Sequence, residues 1–237
     1  VLYPIVWKKN LAYIRWFLKI ARIFRNRAHD NDRSGQRIAS CLIKLGPSFI
    51  KFGQTLATRS DLIGEEIAND LSLLQDRLEP FSFGEAKATI ETETGNQIHE
   101  LFSSFNEEPV AAASIAQVHY AITMRGEEVA VKILRPRIEV SFAYDLALFI
   151  WIAEFLESYF SWTRRLRPIE VIKVFSETIS FEMDLRMEAA AAAELAENFQ
   201  DDPDFKVPTV FWATTTKRIF TLERLEGCRP NDLASIE

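Results

Sequence analysis

Cysteine and histidine are scarce in this chain, and their scarcity closes off several chemistries. Cys41 and Cys228 are the only two cysteines in 237 residues, far apart and with no CxxC spacing, so neither a disulfide framework nor a thiolate zinc site is indicated. The three histidines, His29, His99 and His119, stand equally far apart and give no metal-ligand pattern. No apolar run reaches the roughly eighteen residues needed to span a bilayer. The first thirty residues carry no signal-peptide cleavage pattern. A reducing, cytosol-facing compartment is therefore the default expectation. Acidic residues are missing from one region only. Residues 1–60 hold 12 Lys or Arg against Asp30 and Asp32, whereas the rest of the chain holds 16 basic and 32 acidic groups. The net charge of -6 thus hides a basic amino end, the part suited to an anionic partner. The acidic remainder would repel phosphate backbones, which argues against nucleic-acid binding.

What is present is a globular composition. A hydrophobic content of 48% supports a well-filled core for one large domain, or one domain with an extension. Residues 1–28 interleave Trp7, Leu11, Trp16, Phe17 and Phe24 with seven Lys or Arg, the pattern of a basic amphipathic helix. Such a helix suits an anionic membrane surface or, equally, docks by its apolar face on the domain. A second helical pattern runs from Gly35 to Leu45 and stops at Gly46-Pro47. The next helix begins near Ser48 and carries Lys51, Gly53 and Gln54. Lys51 and Gln54 share a face, and Gly53 leaves room for another backbone. On spacing alone this is a solvated face. Residues 64–79 and 83–94 read as two further helices separated by Pro80.

Patterning then switches. Residues 98–135 alternate as strands do and predict a small antiparallel sheet, with Gly126 in a hairpin turn. Within it lies Val110-Ala111-Ala112-Ala113-Ser114-Ile115-Ala116-Gln117-Val118. Small residues let backbone N–H groups approach phosphate oxygens without Cβ branches in the way. Alanine is less permissive than glycine at positive φ, so this loop is expected to be stiffer than a glycine-rich one. Lys132 follows inside the run Val129 to Leu134, a buried strand in which a lone ammonium needs a phosphate or a carboxylate. An alanine-rich helix start and a lysine snorkelling from a strand edge are the plainer alternatives. Residues 141–162 predict an apolar helix. After Pro168 one long helix is expected to carry Glu182, Asp184 and Glu188 ahead of Ala189 to Ala193, with Asp184 and Glu188 on one face. Thr209-Val210-Phe211 and Arg218 to Leu222 predict two last strands.

Taken in order, Lys51-Phe52-Gly53-Gln54, the Ala111 to Val118 loop, Val129-Ala130-Val131-Lys132 and Glu182-Met183-Asp184 with Glu188 closely resemble the UbiB family of atypical kinase-like proteins. The match runs from about residue 35 to 227, and Leu45 to Gln54 is its most specific string. The resemblance implies an α+β fold: a protein-kinase-like small lobe of antiparallel sheet and helices over residues 98–227. A helical extension with Lys51 and Gln54, residues 35–97, precedes it. Residues 1–34 are the basic helix, and 228–237 begin the large lobe.

By the same resemblance, Val110 to Val118 and Lys132 bind ATP or ADP, Glu188 pairs with Lys132, and Glu182 and Asp184 meet Lys51. The extension then lies where a protein substrate docks in other kinases. ATP hydrolysis, or phosphoryl transfer to a small or lipid-like molecule, is the implied activity, in support of ubiquinone biosynthesis. Glycine at Ala111 to Ala113 should alter the preference between ATP and ADP. Expected partners are a membrane surface or isoprenoid lipid on the cytoplasmic side of the bacterial inner membrane, with ubiquinone-biosynthesis proteins. The other reading is a non-catalytic pseudokinase scaffold organising membrane-bound enzymes.

One departure stands out. No histidine follows His119 and no Asp-Phe-Gly follows Lys132, so the catalytic loop and the Mg2+-binding Asp have no counterpart here. Negligible catalysis is expected from these residues alone, as from a fragment, with Mg2+ bound only alongside a large lobe. The family's carboxy-terminal membrane anchor likewise has no counterpart in these residues.

Overall fold

The computed structural model describes residues 33–74 and 78–227. The basic segment 1–28 and the stretch 228–237 lie outside the described residues. Gly46 and Pro47 part the first two helices. Helix α1 (Ser34–Leu45) closes at Gly46, whose φ of 109° favours glycine. Helix α2 (Pro47–Ala57) opens on Pro47, whose missing N–H is not needed in a first turn. A short α3 (Ser60–Ile63) leads to α4 (Glu65–Ser72). The helix expected over 64–79 ends at Ser72, and the carbonyl of Leu74 just beyond it accepts from the side-chain amide of Gln54 at 3.2 Å. The helices press together where glycine stands. A Cβ on Gly53 would lie 2.6 Å from methyl carbons of Leu42 and Leu74.

Ser82 and Glu85 form a reciprocal cap at the start of α5 (Phe83–Thr94), and Gly95 closes the helix in the left-handed region. The stretch expected to be strand from residue 98 begins with one helical turn, α6 (Ile98–Leu101). Strands β1 (Phe102–Phe105), β2 (Ala111–Ala112), β3 (Ala116–Thr123), β4 (Glu128–Leu134) and β5 (Ile219–Glu223) form one antiparallel sheet. Its order is β1-β3-β4-β5, with β2 also paired to β3. Gly126, at φ 88°, turns β3 into β4 as expected. Only a single bridge, Val210 to Leu222, remains of the strand expected at 209–211. Pro208 offers no N–H there, and the chain curls at once into a 3-10 turn, Trp212–Thr214.

Period-two alternation gives the sheet two working faces. Val129, Val131, Ile133 and Ile219 pack with Ala86 and Ile90 of α5. Leu134 and Phe220 point the other way, into a core with three more helices. These are α7 (Ile138–Tyr159), α8 (Pro168–Glu182) and α9 (Leu185–Asn198), with a 3-10 turn at Ser161–Leu166 between α7 and α8. The single long helix expected after Pro168 is therefore two. Asp184 caps α9 by accepting the Arg186 N–H, and the Leu185 N–H goes to the Lys217 carbonyl at 2.9 Å, so neither continues α8.

The extension buries Ile50, Ala68, Leu71 and Leu74 of its own and also joins the lobe's core. Phe49 and Phe52 of α2 reach Phe149 of α7 at ring-centroid distances of 4.9 and 4.8 Å, and Phe52 meets Phe175 of α8 at 5.3 Å. No helix among the described residues is long and apolar enough to cross a membrane.

Candidate functional site: an ion-paired lysine beneath an alanine-rich hairpin

Lys132 sits in mid-β4, flanked by Val131 and Ile133, which point into the opposite face. Its ammonium meets both carboxylate oxygens of Glu188 at 2.9 and 2.7 Å, although 56 residues separate them. The side chains of Lys132 and Glu188 are 28% and 49% exposed, so the pair alone contributes no more than about 1 kcal/mol to stability. Its consequence is positional. Glu188 is carried by α9, which is held in place by buried Leu185 and Ala189, and it fixes where the ammonium can reach.

The second expected contact is made in part. Lys51, only 16% exposed, stands 3.1 Å from Glu182. Its face of α2 is half-buried rather than solvated, because α2 lies against the lobe. Asp184 is engaged elsewhere, in a 2.6 Å ion pair with Arg186. That partner, first through its hydrogen bond, holds the Asp184 carboxyl below its ordinary range. The helix break at Met183 and Asp184 is the reason, since it removes Asp184 from the face that carries Glu188. Gly53 and Gln54 serve the internal packing of the extension.

The alanine-rich segment is a hairpin, not an open loop. Ala111 and Ala112 pair with Val118 and Gln117, leaving Ala113, Ser114 and Ile115 as the turn. Ser114, Ile115, Ala116 and Gln117 are all buried, so only Val110 to Ala113 and Val118 retain surface for a ligand. None of the alanines has a positive φ; Arg137 and Arg167 are the only non-glycine residues that do, among those described. What holds this segment is strand pairing and two side chains, not the backbone preference of alanine at positive φ.

One is Gln117. Its carbonyl accepts the Phe81 N–H at 3.0 Å while its amide donates to the Phe81 carbonyl at 3.3 Å. The other is Arg135, at the end of β4, which sequence reasoning missed. Its guanidinium donates to the carbonyls of Ala113 (3.2 Å), Ser114 (3.3 Å) and Glu79 (3.0 Å) and lies over the Phe81 ring. The signal was a cation directly after a buried strand and before Pro136.

Gln117 also organises His119, which is fully buried in β3. His119 Nδ1 lies 2.8 Å from the Asn106 carbonyl and Nε2 lies 2.8 Å from the Gln117 amide nitrogen. The neutral Nδ1–H form satisfies both, and burial pushes its pKa below the ordinary histidine value. The unfolded chain therefore binds this proton more readily than the folded one, so stability falls as pH drops below about 6.5. Denaturant melts of the protein should show this loss above the carboxylate range, that is above about pH 4.5. His119→Gln should flatten it; an unchanged slope in that variant would assign the proton elsewhere.

Among the described residues no three His, Cys, Asp or Glu side chains group as a cation site.

Comparison with known proteins shows the family. The model of the ABC1 atypical kinase-like domain matches residues 73–237. The chain is 42% identical over 203 residues to "Probable protein kinase UbiB" of Marinobacter nauticus, covering 86% of this chain and 37% of that protein. The protein of the same name from Pseudomonas fluorescens Pf-5 is 41% identical over 227 residues, covering 93% and 42%. That of Pseudomonas putida F1 is 44% identical over 202 residues, covering 85% and 37%. The chain thus spans between 37% and 42% of the length of these relatives. The solved complex of Rv3197 with erythromycin from Mycobacterium tuberculosis aligns at a TM-score of 0.47 and 26% identity, over 92% of this chain and 51% of that one. With the family match running through the sheet, the ion pair and the alanine-rich hairpin, the chain belongs to the ABC1 family of atypical kinase-like proteins, together with its UbiB relatives.

Proposed function

We propose that this chain is the nucleotide-binding lobe of an atypical kinase or ATPase. In this reading ATP lies between the alanine-rich hairpin and the Lys132 ammonium, and Glu188 keeps that ammonium aimed at the phosphates. Phosphoryl transfer depends on positioning and charge neutralisation, and a lysine fixed by a helix carboxylate supplies both. The observation that carries the reading is the two-oxygen contact of Lys132 with Glu188, which joins a strand to a helix distant in sequence.

The extension supports a narrower substrate class. Through Phe49, Phe52 and the contact of Lys51 with Glu182 it packs on the lobe itself, which favours water or a small or lipid-like acceptor over a docked protein. A role in ubiquinone biosynthesis at the membrane follows from the UbiB resemblance, and the basic residues 1–28 suit it.

Phosphate release from ATP by the full-length protein is the test. Activity in the wild type that is lost in Lys132→Ala is expected. Undiminished release in that variant would remove the reading.

A further inference from the structure

Two parts of the chain that the sequence separates widely are bridged by one guanidinium, beside the paired hydrogen bonds of Gln117 with Phe81. On the extension side lies Glu79, just before α5; on the lobe side lies the turn of the alanine-rich hairpin. Arg135 donates to the Glu79 carbonyl at 3.0 Å and to the carbonyls of Ala113 and Ser114 at 3.2 and 3.3 Å. Its own backbone N–H goes to the Ile115 carbonyl at 2.8 Å, and its carbonyl accepts from Arg218 at 3.1 Å. The donor fork is thereby held from both ends of its own residue. A planar, permanently charged fork can serve three carbonyls at once, which a lysine ammonium on a flexible stem does less well.

The geometry points to Arg135 as a positioning residue that makes the extension part of the nucleotide cover. This rests on the nucleotide reading above. The extension then holds the cleft on two sides, at the hairpin through Arg135 and ahead of the Glu188 helix through Lys51 and Glu182. A hairpin ordered in advance spares nucleotide binding the entropy of ordering it, so loss of the tie weakens affinity without touching Lys132.

The experiment uses the full-length protein with Arg135→Ala and Arg135→Lys. Hydrogen exchange without nucleotide is measured first. Arg135→Ala should raise exchange at 110–118 and at 78–86 together, with Arg135→Lys intermediate. Faster exchange in the hairpin alone, or in neither segment, overturns the tie. ATP affinity is then measured by titration. A fall of roughly ten-fold in Arg135→Ala, partly restored in Arg135→Lys, is expected. Unchanged ATP affinity alongside loosened exchange would show that the tie does not position the nucleotide cover, and would also overturn the inference. If the wild type binds no ATP, the nucleotide reading fails and the positioning role fails with it, and the exchange result alone decides whether the two segments are tied.

Discussion

Lys132→Ala in the full-length protein is expected to lower ATP affinity by about 10- to 100-fold, measured by titration calorimetry. The variant removes an ammonium on the inner face of the sheet and leaves the Glu188 carboxylate facing incoming phosphates. Both changes act in the same direction, since a cation leaves and an anion loses its neutralising partner. Glu188→Ala should weaken binding less, because the ammonium stays but is no longer aimed. Combining the two should cost less than the sum of the single losses, the sign of direct coupling. Additive effects would mean that the pair does not work as a unit at the phosphates. Folding should hardly change in either variant, because the pair is partly exposed.

The largest stability effect is expected at Phe175. It is 1% exposed and meets Phe52 of the extension and Phe149 of α7 at 5.3 and 5.9 Å. Phe175→Ala should destabilise the protein by about 3–5 kcal/mol, from lost burial and from the cavity left among helices that cannot all collapse inward. Calorimetry should place the melting temperature about 10 °C lower. Because the cavity opens between α2 and α8, the extension should also loosen, and protease should cut within residues 33–74 sooner than in the wild type. A loss under 1 kcal/mol would mean that the extension and the lobe do not share this core.

Glycine at Ala111 to Ala113 should disturb nucleotide selectivity less than the alanine backbone argument implied. These alanines do not occupy left-handed conformations, and strand pairing with Gln117 and Val118 survives the exchange. Comparing ATP and ADP affinities in Ala113→Gly and Arg135→Ala would separate backbone preference from the side-chain tie. A larger selectivity change in the glycine variant would restore the original argument.

That Lys132 needs a counter-charge was legible, because a lysine in a run of valines and isoleucine is costly alone. That Glu188 supplies it came from the family resemblance, since Glu139, Glu154 and Glu157 also lie on a helix after Lys132. Asp184 misled the reading of one long helix. It shares a face with Glu188 only if the helix runs through Met183, and the helix breaks there because the Lys217 carbonyl claims the Leu185 N–H. A hydrogen bond from a residue more than thirty positions away leaves no local trace. Arg135 escaped notice for a related reason, since its partners are backbone carbonyls, which every residue has.

Local sequence determined the helix ends at Gly46, Pro47 and Gly95, the turn at Gly126, the alternation that sets Lys132 opposite Val131, and the order of motifs that places the chain in its family. Those features depend on φ preference, capping and period, which neighbouring residues decide among themselves. Tertiary structure alone decided that α8 and α9 part, that the alanine-rich segment is a clamped hairpin with its far half buried, and that the extension shares the lobe's core. Each of these depends on which distant groups compete for one N–H, one carbonyl or one apolar surface, and only the folded chain brings those competitors together.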